Sequence, residues 1–438
     1  MAVGGLKIQC FSEKKKYIPI DKCKVKITPT EEDGVEKGDT IEVYTDDTGN
    51  TDTVELMAPP MENSNNPGLV PYSFANVVVE RAGFSPVEIK GVQIYPSRVA
   101  IQNINLNESM DYYRSEEIID IQPNRLVGNF PPKIPEAEEK ELPPAKGTVV
   151  LQEPVVPEYI VVHNGRPNDN SVANYKVSYK DYIKNVACCE IFSTWSENTI
   201  RANVYAIISF TLNRIYTEWY RGKGKNFDIT NSTAFDHAFS YGRNFYDNIS
   251  RIVDEIFSTY MKRFNAKQPL LAQYCDGVNV QCSGWMTQWG SKYLGDEGKV
   301  PYDILTYFYG DDLELRLANK VKGSPKSYPG YNITSGSAGE AVKTIQQQLN
   351  YIARAYPLIP KIAVDGKFGP RSREAVRTLQ KIFNLPQTGV VNYATWYKIS
   401  DVYVAVTKMA ELRSSSEMRV FYPPTIMDRN ENVPRIIY

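Results

Sequence analysis

Apolar and polar residues alternate in short runs over residues 5 to 107: Lys24 to Thr28, Thr40 to Tyr44, Thr53 to Met57, Tyr72 to Glu80, Val87 to Val92 and Val99 to Leu106. Turn signals at Asp33-Gly34, Thr48-Gly49-Asn50 and Ala82-Gly83-Phe84 separate them. Strands at this spacing predict an antiparallel sandwich. The alternation stops at Gln122, where prolines 123, 131, 132, 135, 143, 144, 154 and 157 surround the charged run Glu136 to Glu141. Such a stretch buries too little apolar surface to order itself, so an extended, protease-accessible joint is expected. Tyr159 to His163 and Tyr175 to Ser178 then read as strands leading into a helix around Tyr179 to Val186. A longer helix follows, with Ile200, Val204, Ile207, Ile208, Thr211, Ile215 and Trp219 on one stripe. Thr194 and Glu197 have the spacing of a capping box at its start. Near the C-terminus, helical periodicity returns over Gly339 to Tyr356 and again at Ala375, Val376, Leu379 and Phe383, and Gly389 to Trp396 opens a third helix.

The 438 residues allow two to four domains at roughly 100 to 200 residues each. The pattern divides them into a β sandwich (1–121), a Pro-rich linker (122–157), an α+β domain (158–325), a small three-helix module (335–412) and a tail (413–438). The expected fold class is therefore multidomain α+β. No apolar run approaches the roughly 20 residues of a membrane span. A net charge of -1 gives a phosphate backbone nothing to bind overall, so nucleic acid is not an expected partner. The first residues lack the apolar segment of a secretory signal. Six cysteines are too few for a disulfide framework in this length. Adjacent Cys188 and Cys189 are expected to be buried small apolar residues, while Cys275 and Cys282 could bridge or bind metal.

Glu190 draws attention because it stands between Ala187-Cys188-Cys189 and Ile191-Phe192, just ahead of the long helix. Burial raises a carboxyl pKa, and the opposing pull of a helix N-terminus fades within the first turn. A neutral acid outside that N-terminus is the expectation, against the alternative of a partly exposed Glu at a loop edge.

Tyr182-Ile183-Lys184-Asn185-Val186-Ala187-Cys188-Cys189-Glu190-Ile191-Phe192 resembles the entry motif Y-(L/I)-x-x-V-V-A-x-E-M-P of the SpoIID (stage II sporulation protein D) family of lytic transglycosylases, whose Glu is the catalytic acid. Without a gap, the family's K-A-Q-A-V-A-A-R-T-Y helix falls on Arg201 to Phe210, keeping polar residues at Arg201 and Asn203 but replacing the family Arg by Ile208. Asp236-His237-Ala238-Phe239 with Gly242 is similar to D-x-x-Q-x-Y-x-G, which suggests His237 as a substrate contact. Gly284 to Leu294 and Val300 to Gly310 resemble the closing motifs G-M-S-Q-W-G-A-x-x-M-A and Y-x-x-I-L-x-x-Y-Y, although Gln281-Cys282-Ser283 stands where the family has G-H-G. Trp285 and Trp289 suit a sugar groove, since aromatic faces pack on pyranose rings, and Gln288 can bond hydroxyls. Some SpoIID proteins hold zinc through a His and two Cys; with no Cys between Cys189 and Cys275, neither metal nor other cofactor is expected here.

The resemblance implies one-acid chemistry. Glu190 protonates the glycosidic oxygen, then takes the proton of the attacking muramic C6 hydroxyl, leaving a 1,6-anhydro end. Val342-x-x-Ile345-Gln346-x-x-Leu349, Asp365-Gly366-Lys367-Phe368-Gly369, Ala375-Val376-x-x-Leu379-Gln380 and Thr395-Trp396 resemble a peptidoglycan-binding module. The strand region is similar to a prealbumin-type sandwich. Together these parts resemble the SleC family of spore cortex-lytic enzymes, which implies a precursor located in the cortex or coat region of a bacterial spore. It also implies cortex peptidoglycan as substrate and germination-time activation by a subtilisin-like Csp protease. The cut is then expected near Lys146, Gly147, Thr148, Val149 and Val150. Two other classes stay open: an N-acetylmuramoyl-L-alanine amidase, for which His163 and His237 supply few ligands, and a non-catalytic wall-binding protein.

Overall fold

A computed structural model describes residues 2–12, 18–109, 116–127, 153–280, 282, 284–322, 324, 326 and 328–407. The expected cleavage region, Lys146 to Val150, and the tail 413–438 lie outside the described residues.

Among the described residues, nine strands make the N-terminal region: β1 (Ala2–Ser12), β2 (Ile18–Pro19), β3 (Lys24–Thr30), β4 (Ile41–Tyr44), β5 (Val54–Ala58), β6 (Ser73–Glu80), β7 (Val87–Ile94), β8 (Val99–Asn105) and β9 (Glu117–Asp120). One sheet has the order β4-β3-β6-β7-β9, and in the other β1 joins β8, β2 and β5. Leu6, Ile8, Val25, Ile27, Val77, Val79 and Ile89, drawn from both sheets, share one core. The sheets are mixed rather than purely antiparallel, because β1 pairs with β8 and β7 with β9 in parallel. The alternating pattern misses β1, whose Gly4-Gly5 reads as a break. Both glycines are required by close approach, since a Cβ on Gly4 would meet the Tyr95 carbonyl oxygen at 2.2 Å and one on Gly5 the Thr53 methyl at 2.7 Å.

The middle region supplies β10 (Val155–Val156), β11 (Tyr159–His163), β12 (Asn174–Ser178), α1 (Tyr179–Glu190), α2 (Glu197–Tyr216), β13 (Ile229–Thr230), β14 (Phe245–Tyr246), α3 (Asp247–Ile256), β15 (Thr259–Arg263), β16 (Tyr274–Cys275), β17 (Met286–Thr287), α4 (Gln288–Asp296), α5 (Pro301–Tyr309), β18 (Leu313–Leu317) and β19 (Lys320–Val321). Helix α2 is its axis: α1, α3, α4, α5 and β15 all pack on it, so burial runs round the helix rather than along one stripe. Its N-cap is Ser196, whose side chain accepts from the Thr199 N–H, and not Thr194 as the capping-box spacing predicts. Thr194 instead donates to Ser64 of the sandwich at 2.6 Å. Strand β14 pairs with β8, setting Phe245 opposite Ile101, so the middle region completes a sheet of the sandwich.

The C-terminal helices α6 (Glu340–Ile352), α7 (Pro370–Ile382) and α8 (Tyr393–Thr407) are held by two glutamines in equivalent roles. Gln346 of α6 takes the Gly366 N–H and donates to Asp365 and the Lys367 carbonyl. Gln380 of α7 takes the Gly389 N–H and donates to the Val390 carbonyl. Phe368 is buried, as its place in the turn predicts. The module is docked, not merely tethered: α8 packs on α3, Tyr393 bonds Ser258, and Lys180 pairs with Asp401. Lys7 of β1 reaches Asn384 at 2.8 Å on the other side.

Candidate functional site

Glu190 is the last residue of α1, not a residue poised at the entry to α2. Helix α1 starts at the Ser178 cap and runs until Ile191 turns extended, which delivers the Glu190 side chain, partly exposed, to the floor of a cavity. Two partners reach it from distant sequence. The Ala238 N–H donates to Oε1 at 2.7 Å, and Gln288 Nε2 donates to Oε2 at 3.0 Å and to the Glu190 carbonyl at 2.7 Å. The loop presenting Ala238 is itself clamped to α1, because Asn185 accepts from the Ser240 N–H and donates to its carbonyl. Gln288 opens α4 and is 4 % exposed, so its amide is fixed before any ligand arrives.

Around this pair the cavity is walled by Tyr274, Asp276 and Val280 from the loop after β16, and by Arg125 and Leu126 from the segment that follows β9. It holds about 60 Å³, room for a few waters and not for a disaccharide. Burial, and then the negative charge of Glu190, push the Tyr274 hydroxyl well above its ordinary range. A disulfide joins Cys275 to Cys282 and closes the loop that carries Asp276 and Val280. Cys188 and Cys189 are buried, and burial pushes the Cys188 thiol up to about 12, which fits inert packing.

The segment carrying Arg125 and Leu126 is pinned across the end of α1. Asn124 Nδ2 donates to the Cys188 carbonyl at 2.9 Å and to the Ile191 carbonyl at 3.0 Å, satisfying helix-end acceptors that α1 leaves open. The buried Arg243 guanidinium ties the Gln122 carbonyl to Gln93 of the sandwich, and Tyr72 donates to the Asn124 carbonyl at 2.7 Å. Arg125 pairs with Glu32.

The remaining sequence candidates lie apart from the cavity lining. Arg201 is held by Glu197 and Glu255, an ion-pair cluster completed by Arg251. Asn203, 2 % exposed, bonds the Thr199 carbonyl and the Ser291 hydroxyl, tying α2 to α4. His237 is fully buried behind Ala238; Nδ1 meets the Tyr182 hydroxyl at 3.0 Å and the ring stacks on Tyr274. Trp289 packs edge-on against Trp195 and Phe192, while Trp285 is partly exposed beside β17. Sequence reasoning therefore finds Glu190 and Gln288 but misses Arg125, Tyr274 and Asp276. Only Asp276, preceding Gly277 in a polar run, leaves a local trace, as a turn residue.

Among the described residues no helix is long and apolar enough to cross a membrane. No curated protein matches the chain. Residues 338–399, which contain α6 and α7 and the start of α8, match the family model described as "Putative peptidoglycan binding domain". The chain is thus similar at its C-terminus to peptidoglycan-binding domains and is a mixed α+β, multidomain, cell-wall-related protein with peptidoglycan as its partner.

Proposed function

We propose that the protein is the precursor of an enzyme that cuts the glycan strand of spore cortex peptidoglycan by lytic transglycosylation, with Glu190 as both acid and base. The observation that carries this reading is the joining of Glu190 to Gln288, residues from two separate motifs, in one cavity. The carboxyl must alternate between two forms, and its surroundings oppose one another. The C-terminal, negative end of the α1 dipole disfavours charge there, while the N–H groups of Ala238 and Gln288 favour it. As an acid, Glu190 protonates the glycosidic oxygen. The muramic C6 hydroxyl then attacks C1 and returns a proton to the carboxylate, with intramolecular geometry taking the place of an activated water.

The uncut chain is inactive in this account because the strap, pinned by Asn124, sets Arg125 and Leu126 in the cavity wall and leaves only about 60 Å³ beside Glu190. Cleavage between 122 and 157 by a subtilisin-like protease of the Csp type, at germination, frees the strap to leave. The wall module holds the enzyme on its insoluble substrate. Mass spectrometry of cortex digests tests the reaction. Anhydro-muramyl ends are expected, whereas reducing ends or released peptides would replace the reading by a hydrolase or an amidase.

A further inference from the structure

The loop after β16 holds a carboxylate that the one-acid mechanism leaves unused. Asp276 is 5 % exposed and lines the same cavity as Glu190. Its Oδ1 is fully occupied, accepting the N–H groups of Val278 at 2.6 Å, Asn279 at 2.9 Å and Val280 at 3.1 Å. Its Oδ2 is equally buried and has no hydrogen-bond partner among the described residues. A buried carboxylate oxygen without a donor is costly, and a cap for the loop needs only one oxygen. The Cys275–Cys282 disulfide and the Trp289 N–H, which donates to the Asp276 carbonyl at 3.2 Å, fix the residue from both sides. Such rigidity suits a group placed for charge that appears only during reaction.

We infer that Asp276 is a second catalytic carboxylate, whose Oδ2 faces the sugar ring and stabilises the positive charge that develops at its anomeric carbon. The inference rests on the glycan-cutting reading of the Glu190 site. No bond to Asp276 forms and no proton moves to it. The C1–O bond breaks as Glu190 gives its proton to the departing oxygen, the C6 oxygen bonds C1, and its proton goes to Glu190.

The test compares Asp276→Asn with Asp276→Ala in the full chain cut within the joint. Asn keeps the oxygen that caps Val278, Asn279 and Val280; Ala removes both functions. We expect kcat on soluble glycan fragments to fall about 100-fold or more in both variants, with KM within about threefold. Melting temperature should drop only for Ala. An Asp276→Asn enzyme with wild-type kcat overturns the inference, since the residue then serves the loop alone. An Asn variant that melts as low as the Ala variant overturns it too, because Oδ2 is then holding the fold. Activity that survives Glu190→Gln sinks the site reading itself, whereas activity that survives only Asp276→Asn sinks this inference alone.

Discussion

Replacing Asn124 by Ala should release the strap without any proteolysis. Asn124 is 3 % exposed, and its amide makes the two bonds to the Cys188 and Ile191 carbonyls at the end of α1. At about 1 kcal/mol net for each bond, the closed strap loses about 2 kcal/mol relative to the open one. That corresponds to about a thirtyfold shift in the open fraction. The Cys188 carbonyl keeps Arg243 as a donor, which argues against a larger figure. The assay is the rate of soluble glycan cleavage by the uncut chain, set against the same chain cut in the joint. The uncut variant should gain activity by about tenfold or more, and the cut variant should match cut wild type. Thr45→Ala is the control, because it removes two comparable bonds, to Ile20 and Cys23, inside the sandwich. If Asn124→Ala lowers the melting temperature as Thr45→Ala does but leaves the uncut chain as inactive as wild type, the strap is not what restrains the site.

Other outcomes follow from the same contacts. Burial works against the charge on Asp254, but Lys184 and Lys180 outweigh it and hold its carboxyl below its ordinary value. A depressed acid stabilises the fold above its unfolded pKa of about 4 and loses that contribution as pH falls through the folded value. Asp254→Asn should therefore cost about 3 kcal/mol or more at pH 7 in chemical denaturation, with the gap to wild type closing as the pH falls below about 4. Ending the chain at residue 334 should lower the melting temperature by several degrees as well as weaken cortex binding, because α8 covers Phe257 through Tyr393 and Tyr397. An unchanged melting temperature would show the module to be independent. Converting Cys275 and Cys282 together to Ser should leave the fold in place, by circular dichroism, but lower kcat/KM as the loop bearing Asp276 loosens.

The parts legible in the sequence are those fixed by local pattern. The β3, β6, β7 and β8 alternation and the amphipathic faces of α6 and α7 stand close to where periodicity puts them. Glu190 and Gln288 are legible through motif spacing, but not their contact, which depends on α2 bringing α1 and α4 together. Three hydroxyl residues, Ser193, Thr194 and Ser196, compete to cap α2, and local rules cannot see that Ser64 claims Thr194. Arg201 and Asn203 occupy the polar positions of the motif, yet their partners are Glu255 and Ser291, visible only after α3 and α4 are packed. The strap is the least legible part. Asn124, Arg125 and Leu126 fall in a proline-containing stretch whose composition says exposed, while Asn124 and Leu126 are buried by groups from the end of α1 and from the sandwich.

The most direct test of the central claim is product analysis with Glu190→Gln. The substitution keeps the side chain's shape, and its one amide oxygen can still accept from Gln288, but its amide nitrogen then faces the Ala238 N–H and the proton that the reaction passes back and forth is gone. The cut variant should bind insoluble cortex as wild type does and melt within a few degrees of it. Its release of anhydro-muramyl products should fall by about 1000-fold or more. Release of those products at the wild-type rate by the folded variant would contradict the account.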